Sequence, residues 1–573
     1  MDNQRNMILA IVLSAVVLFG WSALSERFFP TANPPVTKIV DGKQVVLPNP
    51  GADPAADAPA AIRDRNVVLK ESPRLPINTP MLAGSINLRG ARIDDLVLKA
   101  HRETIAKDSP PIRLLSPGGA AAAYFANFGW TGEGAAVPGA NTVWQTDAKE
   151  LVPGTPVTLS WDNGQGQRFE IVLAVDADYM FTITQRVSNG GQAPVAARPF
   201  ALIARNGASK DPHDKDSWTI HTGPVGFWGK KDHFDIDYSD LDEGGAAGTR
   251  FQLDTGWLGF GDKYWLTALI PDQKSTVDAA FFARTRENYN AVFNPPAASV
   301  VAPGASATTT SKFFAGAKDV SLLERYEKEG ATQLDLAIDW GWFYWFELPI
   351  FYVLDWLFKA VGNFGVAIIL LTCIVRGLMF PIAQKQFASM AGMRALQPKM
   401  KDLQERYKDD KPKLQQEMMA LYKAEKVNPL AGCLPIVLQI PIFYALYKVL
   451  MLTIEMRHQP FVGWIRDLSA PDPLTPLNLF GLLDFAPPQF LAIGVLPILL
   501  GITMYIQFKL NPAQMDPVQQ QVFGIMPWVF MFIMAPFAAG LQLYWVMSNL
   551  LTIAQQKWLY SRHPALKAAE GKA

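Results

Sequence analysis

From Pro517 to Gln556 the chain carries no Asp, Glu, Lys or Arg over 40 residues. A helix needs roughly 20 apolar residues to cross about 30 Å of hydrocarbon, so this stretch is too long for one crossing, and Pro536 and Gly540 near its middle mark a break. Two spans joined by a tight turn are expected. Similar runs occur at Asn6–Ser25 and Phe485–Phe508, which are charge-free, and at Ala360–Gln384 and Val427–Thr453, which hold only Arg376 and Lys448 respectively. Six spans in all are predicted. For the first, a cleaved signal peptide with Ala23-Leu24-Ser25 as its small-residue site is the rival reading.

Between these runs lies a segment of different character. Residues 30–62, rich in Pro, Ala and Asp, read as a linker that cannot bury enough apolar surface to order itself. Residues 63–330 then show period-two alternation, clearest in Val157-Thr158-Leu159-Ser160-Trp161 and Arg168-Phe169-Glu170-Ile171-Val172-Leu173 on either side of the turn signal Asn163-Gly164. An antiparallel β-sandwich is expected. His101, His213, His221 and His233 lack the HExxH spacing and are expected at its surface, and the segment Asp211–Asp216 lacks the calcium-loop pattern. Neither a catalytic group nor a metal site is therefore expected.

The predicted order is a first transmembrane helix at 1–29, the linker, the β domain, and an interfacial amphipathic helix at 331–361 announced by the aromatic run Trp340–Phe346. Further transmembrane helices are predicted at 362–383, 428–453, 490–508, 522–537 and 539–557. The intervening parts are a helical hairpin at 384–427, a loop at 454–489, a short loop at 509–521 and a tail at 558–573. Residues 384–427 hold ten Lys and Arg, whereas 454–484 hold only Arg457 and Arg466, so the hairpin belongs in the cytoplasm and the β domain outside. With 52 basic against 52 acidic residues there is no electrostatic footprint for nucleic acid, and no nucleic-acid partner is expected.

Arg376 is the informative residue, because an arginine within a span costs roughly 2.5–3.5 kcal/mol on insertion scales unless water or a partner receives it. The other spans supply no Asp or Glu. Thr372 lies one turn deeper on the same face, Gln439 lies mid-span, and Ser548, Asn549 and Thr552 fall at comparable depth on the last span. A shared hydrated cavity open to the cytoplasm accounts for all of them; interhelical hydrogen bonding without a cavity is the alternative.

The run Gln415-Gln416-Glu417-Met418-Met419-Ala420-Leu421-Tyr422-Lys423-Ala424-Glu425-Lys426-Val427-Asn428-Pro429-Leu430, continued by Gly432-Cys433, Pro435 and Gln439-Ile440-Pro441-Ile442-Phe443, resembles the YidC/Oxa family of membrane insertases. So do Ile374-Val375-Arg376-Gly377, Asp467-Leu468-Ser469, Ser548-Asn549-Leu550 and Lys263-Tyr264-Trp265-Leu266-Thr267-Ala268. The resemblance implies a five-helix insertase core in the bacterial inner membrane, a periplasmic β domain and a cytoplasm-facing hydrophilic groove. It implies that Arg376 is the groove arginine and that Thr372, Phe443, Tyr544 and Trp545 line the path of the client. Trp545 stands where the family often has tyrosine, keeping a ring without the hydroxyl. The implied partners are nascent membrane proteins, the Sec translocon, ribosome–nascent chain complexes with the signal recognition particle pathway, and membrane lipids.

No GxxxxGK[ST] loop is present, so no nucleotide or other cofactor is expected, and the implied activity makes and breaks no covalent bond. A transporter using the same cavity and an envelope enzyme acting through the β domain are the rival readings.

Overall fold

The computed structural model describes residues 39–40, 43–44, 62–208, 220–341, 343–407, 410–425, 434–480, 483, 492–510 and 517–562. The expected first span, nearly all of the linker, the tail beyond 562, His213 and the segment Asp211–Asp216 lie outside them. The chain divides after Asp339 into a β-rich unit and a helical unit.

Two large antiparallel sheets, with the short pair Ile39–Val40 and Lys43–Gln44, make the β-rich unit. In spatial order the first holds Lys231–His233, Gly223–Trp228, Trp257–Gly261, Trp265–Ile270, Ser306–Ala317, Met180–Asn189, Gln167–Val175 and Val157–Asp162. Along the second run Thr249–Leu253, Val277–Ala283, Asn288–Asn294, Val195–Asn206, Tyr124–Glu133, Arg92–Arg102, Leu82–Asn87 and Arg74–Asn78, with Ser299–Val301 and Pro111–Leu115 attached beside the path. The alternation seen in the sequence is a hairpin in which Leu159 pairs with Ile171. Its turn is closed by Asn163, whose side-chain oxygen accepts from the amides of Gln165 and Gln167, and Gly164 takes the positive φ of 74° that the turn requires.

Every second residue of Gln167–Val175 is buried, and these side chains face the other sheet: Trp130 meets Phe169 at 5.3 Å and Phe128 meets Phe313 at 6.1 Å between ring centroids. Phe128, Phe169, Phe260, Phe281, Phe282, Phe313 and Phe314 are all essentially inaccessible, each contributing about 1.5–3 kcal/mol of transfer free energy. For the three described histidines the expectation of a surface position is not met. His233 stacks on Trp228 with centroids 3.6 Å apart, the side chain of His221 is buried, and His101 sits edge-on to Trp265 at 5.3 Å. An imidazole is flat and half apolar, and in a domain this rich in aromatics it packs as one more ring.

The helical unit contains α1 (Tyr344–Val361), α2 (Phe364–Ala395), α3 (Gln397–Arg406), α4 (Lys411–Ala424), α5 (Leu434–Leu452), α6 (Val495–Leu510), α7 (Pro517–Met534) and α8 (Ala539–Arg562). In α1, Tyr344, Trp345, Tyr352 and Trp356 are exposed while Ile350, Phe351, Leu354 and Leu357 are buried, giving it an aromatic outer face. Helix α2 does not stop near Pro381 or at residue 384; it runs on to Ala395, because a proline removes one backbone donor and bends a helix whose flanks still favour it. The hairpin follows as α3 and α4. It is held by Lys399 Nζ on Glu425 at 2.6 Å and by Tyr422 against the sulfur of the buried Met400. Helix α7 begins five residues ahead of residue 522 and ends at Met534, three short of 537, while α8 continues five past 557 to Arg562.

Among the described residues one stretch, Phe364–Gln384, is long and apolar enough by itself to cross a membrane; Gln439–Leu452, Val495–Leu510 and Gly524–Met534 are apolar but shorter. The description of α5 and α6 begins within the expected spans, and Gln542, Ser548, Asn549 and Thr552 lower the hydropathy of α8.

Candidate functional site: a polar chain between three helices

Helix α8 packs against both α2 and α6, so its polar residues are divided between two neighbours according to their angle around the axis. Ser548 turns toward α2, where its hydroxyl oxygen accepts from Arg376 Nε at 3.1 Å and from the Nη2 of the same guanidinium. One turn earlier on the same face of α8 lies Tyr544, whose oxygen accepts from Gln439 Nε2 of α5 at 2.8 Å. The result is a polar chain, Arg376–Ser548–Tyr544–Gln439, crossing three apolar helices. Among the described residues no carboxylate lies within ion-pair distance of Arg376.

Beside this chain stands an aromatic wall. Trp545 meets Phe443 edge-on at 4.9 Å and Phe530 at 4.7 Å between centroids, and its indole Nε1 has no hydrogen-bond partner. Ser548 and Tyr544 are buried, whereas Arg376, Gln439, Phe443 and Trp545 are half-buried. Among the described residues no anion therefore clamps the guanidinium, and Arg376 as a whole keeps part of its surface exposed. By helix rise it lies roughly 12 Å from the Gln384 end of the apolar stretch.

Two expected members stand apart. Thr372 is fully buried and its hydroxyl donates to Ile368 O of its own helix at 2.6 Å, the local bond that threonine makes readily inside helices. Asn549 lies one residue, about 100° of helix, from Ser548, and its amide donates to Thr503 of α6 at 3.2 Å. Thr552 donates to Ser548 O at 2.7 Å. For these three the interhelical or intrahelical reading applies. Among the described residues no group of three His, Cys, Asp or Glu side chains could hold a metal ion.

Sequence reasoning missed Gln542. Its Nε2 reaches Met534 O, the last residue of α7, and Phe537 O in the turn, both at 2.8 Å, so a side chain of α8 ties down the turn that precedes it. A buried glutamine three residues inside a helix that begins at a turn is the signal, but no motif announces it.

Residues 74–353 match the family described as YidC periplasmic domain, and residues 356–566 match the family described as 60Kd inner membrane protein. A protein of Zymomonas mobilis named membrane protein insertase YidC is 49% identical over all of this chain and 97% of its own length. Proteins of the same name from Methylorubrum extorquens and Bradyrhizobium diazoefficiens are 45% and 43% identical over 98% of this chain, covering 96% and 97% of their own lengths. Matches of this extent leave one assignment: the chain belongs to the YidC family of membrane protein insertases.

Proposed function

We propose that the chain inserts and helps fold inner-membrane proteins, using the half-open space in front of Arg376 as a hydrophilic groove. One observation carries this reading: a guanidinium within an apolar bundle is held by a serine hydroxyl and, among the described residues, by no carboxylate, with Gln439 and Trp545 half-buried on the adjoining helices α5 and α8. An entering span gains free energy from lipid, but each unsatisfied polar group of its flank costs several kcal/mol in hydrocarbon. A wet positive groove shortens the dry distance and favours acidic flanks. No covalent step is involved.

In this reading residues 1–29 and helices α2, α5, α6, α7 and α8 are the six spans, and α1 lies at the outer interface on its exposed aromatic face. The α3–α4 hairpin is cytoplasmic and the β-rich unit periplasmic, as the basic residues of 384–427 direct. Nascent membrane proteins are the clients. The Sec translocon, ribosome–nascent chain complexes of the signal recognition particle pathway and membrane lipids are the further partners that the family relation suggests.

Photocrosslinkers at Gln439, Phe443 and Trp545 test the path against a stalled nascent membrane protein. Adducts at these positions, and none from Trp356 on the outer face of α1, are expected. Failure at all three removes the groove.

A further inference from the structure

The described part of the loop between α5 and α6 does more than connect them. Helices α2, α6 and α8 all begin at the end of the bundle where this loop lies, and each presents backbone amides that its own helix cannot satisfy. The amides of Ala539 and Gly540, opening α8, donate to Ala470 O at 2.8 Å and Leu468 O at 2.9 Å. Asn363, ahead of α2, accepts from Val366 N with its oxygen and donates with its nitrogen to Phe461 O at 3.1 Å. Beside it Gly365 leaves room for the Phe461 ring, which a Cβ at that position would overlap.

At α6 the arrangement is sharpest. The residue before the helix is Gly494, which has no side chain with which to cap, and Asp472 takes that place from 22 residues upstream. Its carboxylate accepts from Leu496 N at 2.7 Å, from Leu474 N at 3.0 Å and from the Trp464 indole at 3.0 Å. A Cβ on Gly494 would stand 2.5 Å from that of Asp472, so the close approach requires glycine. Asp472, Met456, Ile465 and Leu468 are all buried. A carboxylate at a helix N-terminus gains from both the amides and the dipole, and this one also fastens the tryptophan of the loop.

We propose that residues 456–475 form the outer seal of the groove and that Asp472 is the positioning residue that latches it. The seal rests on the groove reading above. It lets the polar chain around Arg376 stay wet from one side while the opposite side of the membrane stays closed to ions, and opening it would release a client's flank outward.

The test uses the full chain with Cys373 and Cys433 replaced by serine and a single thiol probe, Gln439→Cys, labelled by a membrane-impermeant maleimide in inside-out and right-side-out vesicles. The parent carrying this probe should label from the cytoplasmic side alone. Asp472→Ala should raise labelling from the outer side by roughly tenfold or more, the factor set by losing a charge-assisted hydrogen bond. Asp472→Asn, which keeps one acceptor oxygen, should restore most of the seal, and Trp464→Phe, which removes only the indole donor, should leak less than Asp472→Ala and serves where that variant does not fold. If the probe is silent from the cytoplasmic side in the parent, the groove itself is wrong. If it labels there, yet Asp472→Ala and Trp464→Phe leave outer labelling at the parent level, the latch is overturned and Asp472 is a helix cap only.

Discussion

Two arginines divide the molecule's use of charge. Arg205, in the β-rich unit, is buried and donates to Asp262 at 2.8 Å, with the rings of Tyr124 and Tyr238 at 4.7 and 5.9 Å from its carbon. Because Arg205 lies on one sheet and Asp262 follows a strand of the other, its charge is consumed in joining them. Arg376, in the helical unit, is half-buried and rests on a hydroxyl. A buried charge met by its own carboxylate serves the fold, whereas one met only by neutral dipoles is left, in the proposed reading, to act on an entering client.

The largest effect tests the first half of that contrast. Arg205→Ala leaves Asp262 as an uncompensated charge between the sheets, and removing one partner of a buried pair costs about 3–5 kcal/mol. A urea titration of the detergent-solubilised chain, followed by β-sheet circular dichroism, should show the loss. A change within about 1 kcal/mol would mean that Arg205 is as little committed to the fold as Arg376.

Next in size is Gln542→Leu, which strips Phe537 O of its side-chain donor inside the bundle and leaves Met534 O with the Phe537 amide alone. Leaving buried acceptors unsatisfied costs about 1–3 kcal/mol, to be read as a lower midpoint in the helical transition. Arg376→Ala should cost less, about 1 kcal/mol or below, because a serine hydroxyl inside a helix can turn to a carbonyl of its own preceding turn. Its consequence appears in activity: insertion of clients with acidic flanks should fall on the order of tenfold, ~1.4 kcal/mol of barrier, and Arg376→Lys should retain most of it. Equal loss with Lys would shift weight from charge to the forked geometry of the guanidinium.

How much of this was legible beforehand follows from what a linear pattern encodes. Alternation found the hairpin around Asn163, because one face of those strands is polar, and the strand Trp265–Ile270, but Gly223–Trp228 is buried on both faces and carries no such signature. How the two sheets face each other depends on side-chain contacts such as Phe128 with Phe313, far apart in the chain. At the site, depth was readable from position along each span, and it placed Arg376, Gln439 and Ser548 together. Angle around the helix was not readable without knowing the neighbours, so Thr372 and Asn549 were grouped with residues they do not touch. Asp472 was hidden for a simpler reason: its partner amide is 24 residues away, outside any local capping pattern.

The smallest effect sharpens the comparison by reversing its sign. Asp335, in the turn Leu334–Ala337 at the end of the β-rich unit, is a carboxyl with no cation among the groups that act on it. Burial first, and then the negative charge of Glu327, push its pKa up from 3.8 to about 6, against the pull of the Leu336 and Asp335 amides. One of its oxygens is buried without a partner. The folded chain therefore holds this proton more tightly than the unfolded chain, and the stability it lends is fully present below about pH 4 and is lost as pH rises through about 6. Asp335→Asn should remove that decline and make the β-rich unit more stable at neutral pH than the parent, with the two converging in acid. Urea midpoints taken from about pH 4.5 to 7.5 decide it: parallel curves for parent and variant would show that water reaches Asp335 freely, and that a lone charge in this unit is tolerated by solvation rather than by giving up its ionised form.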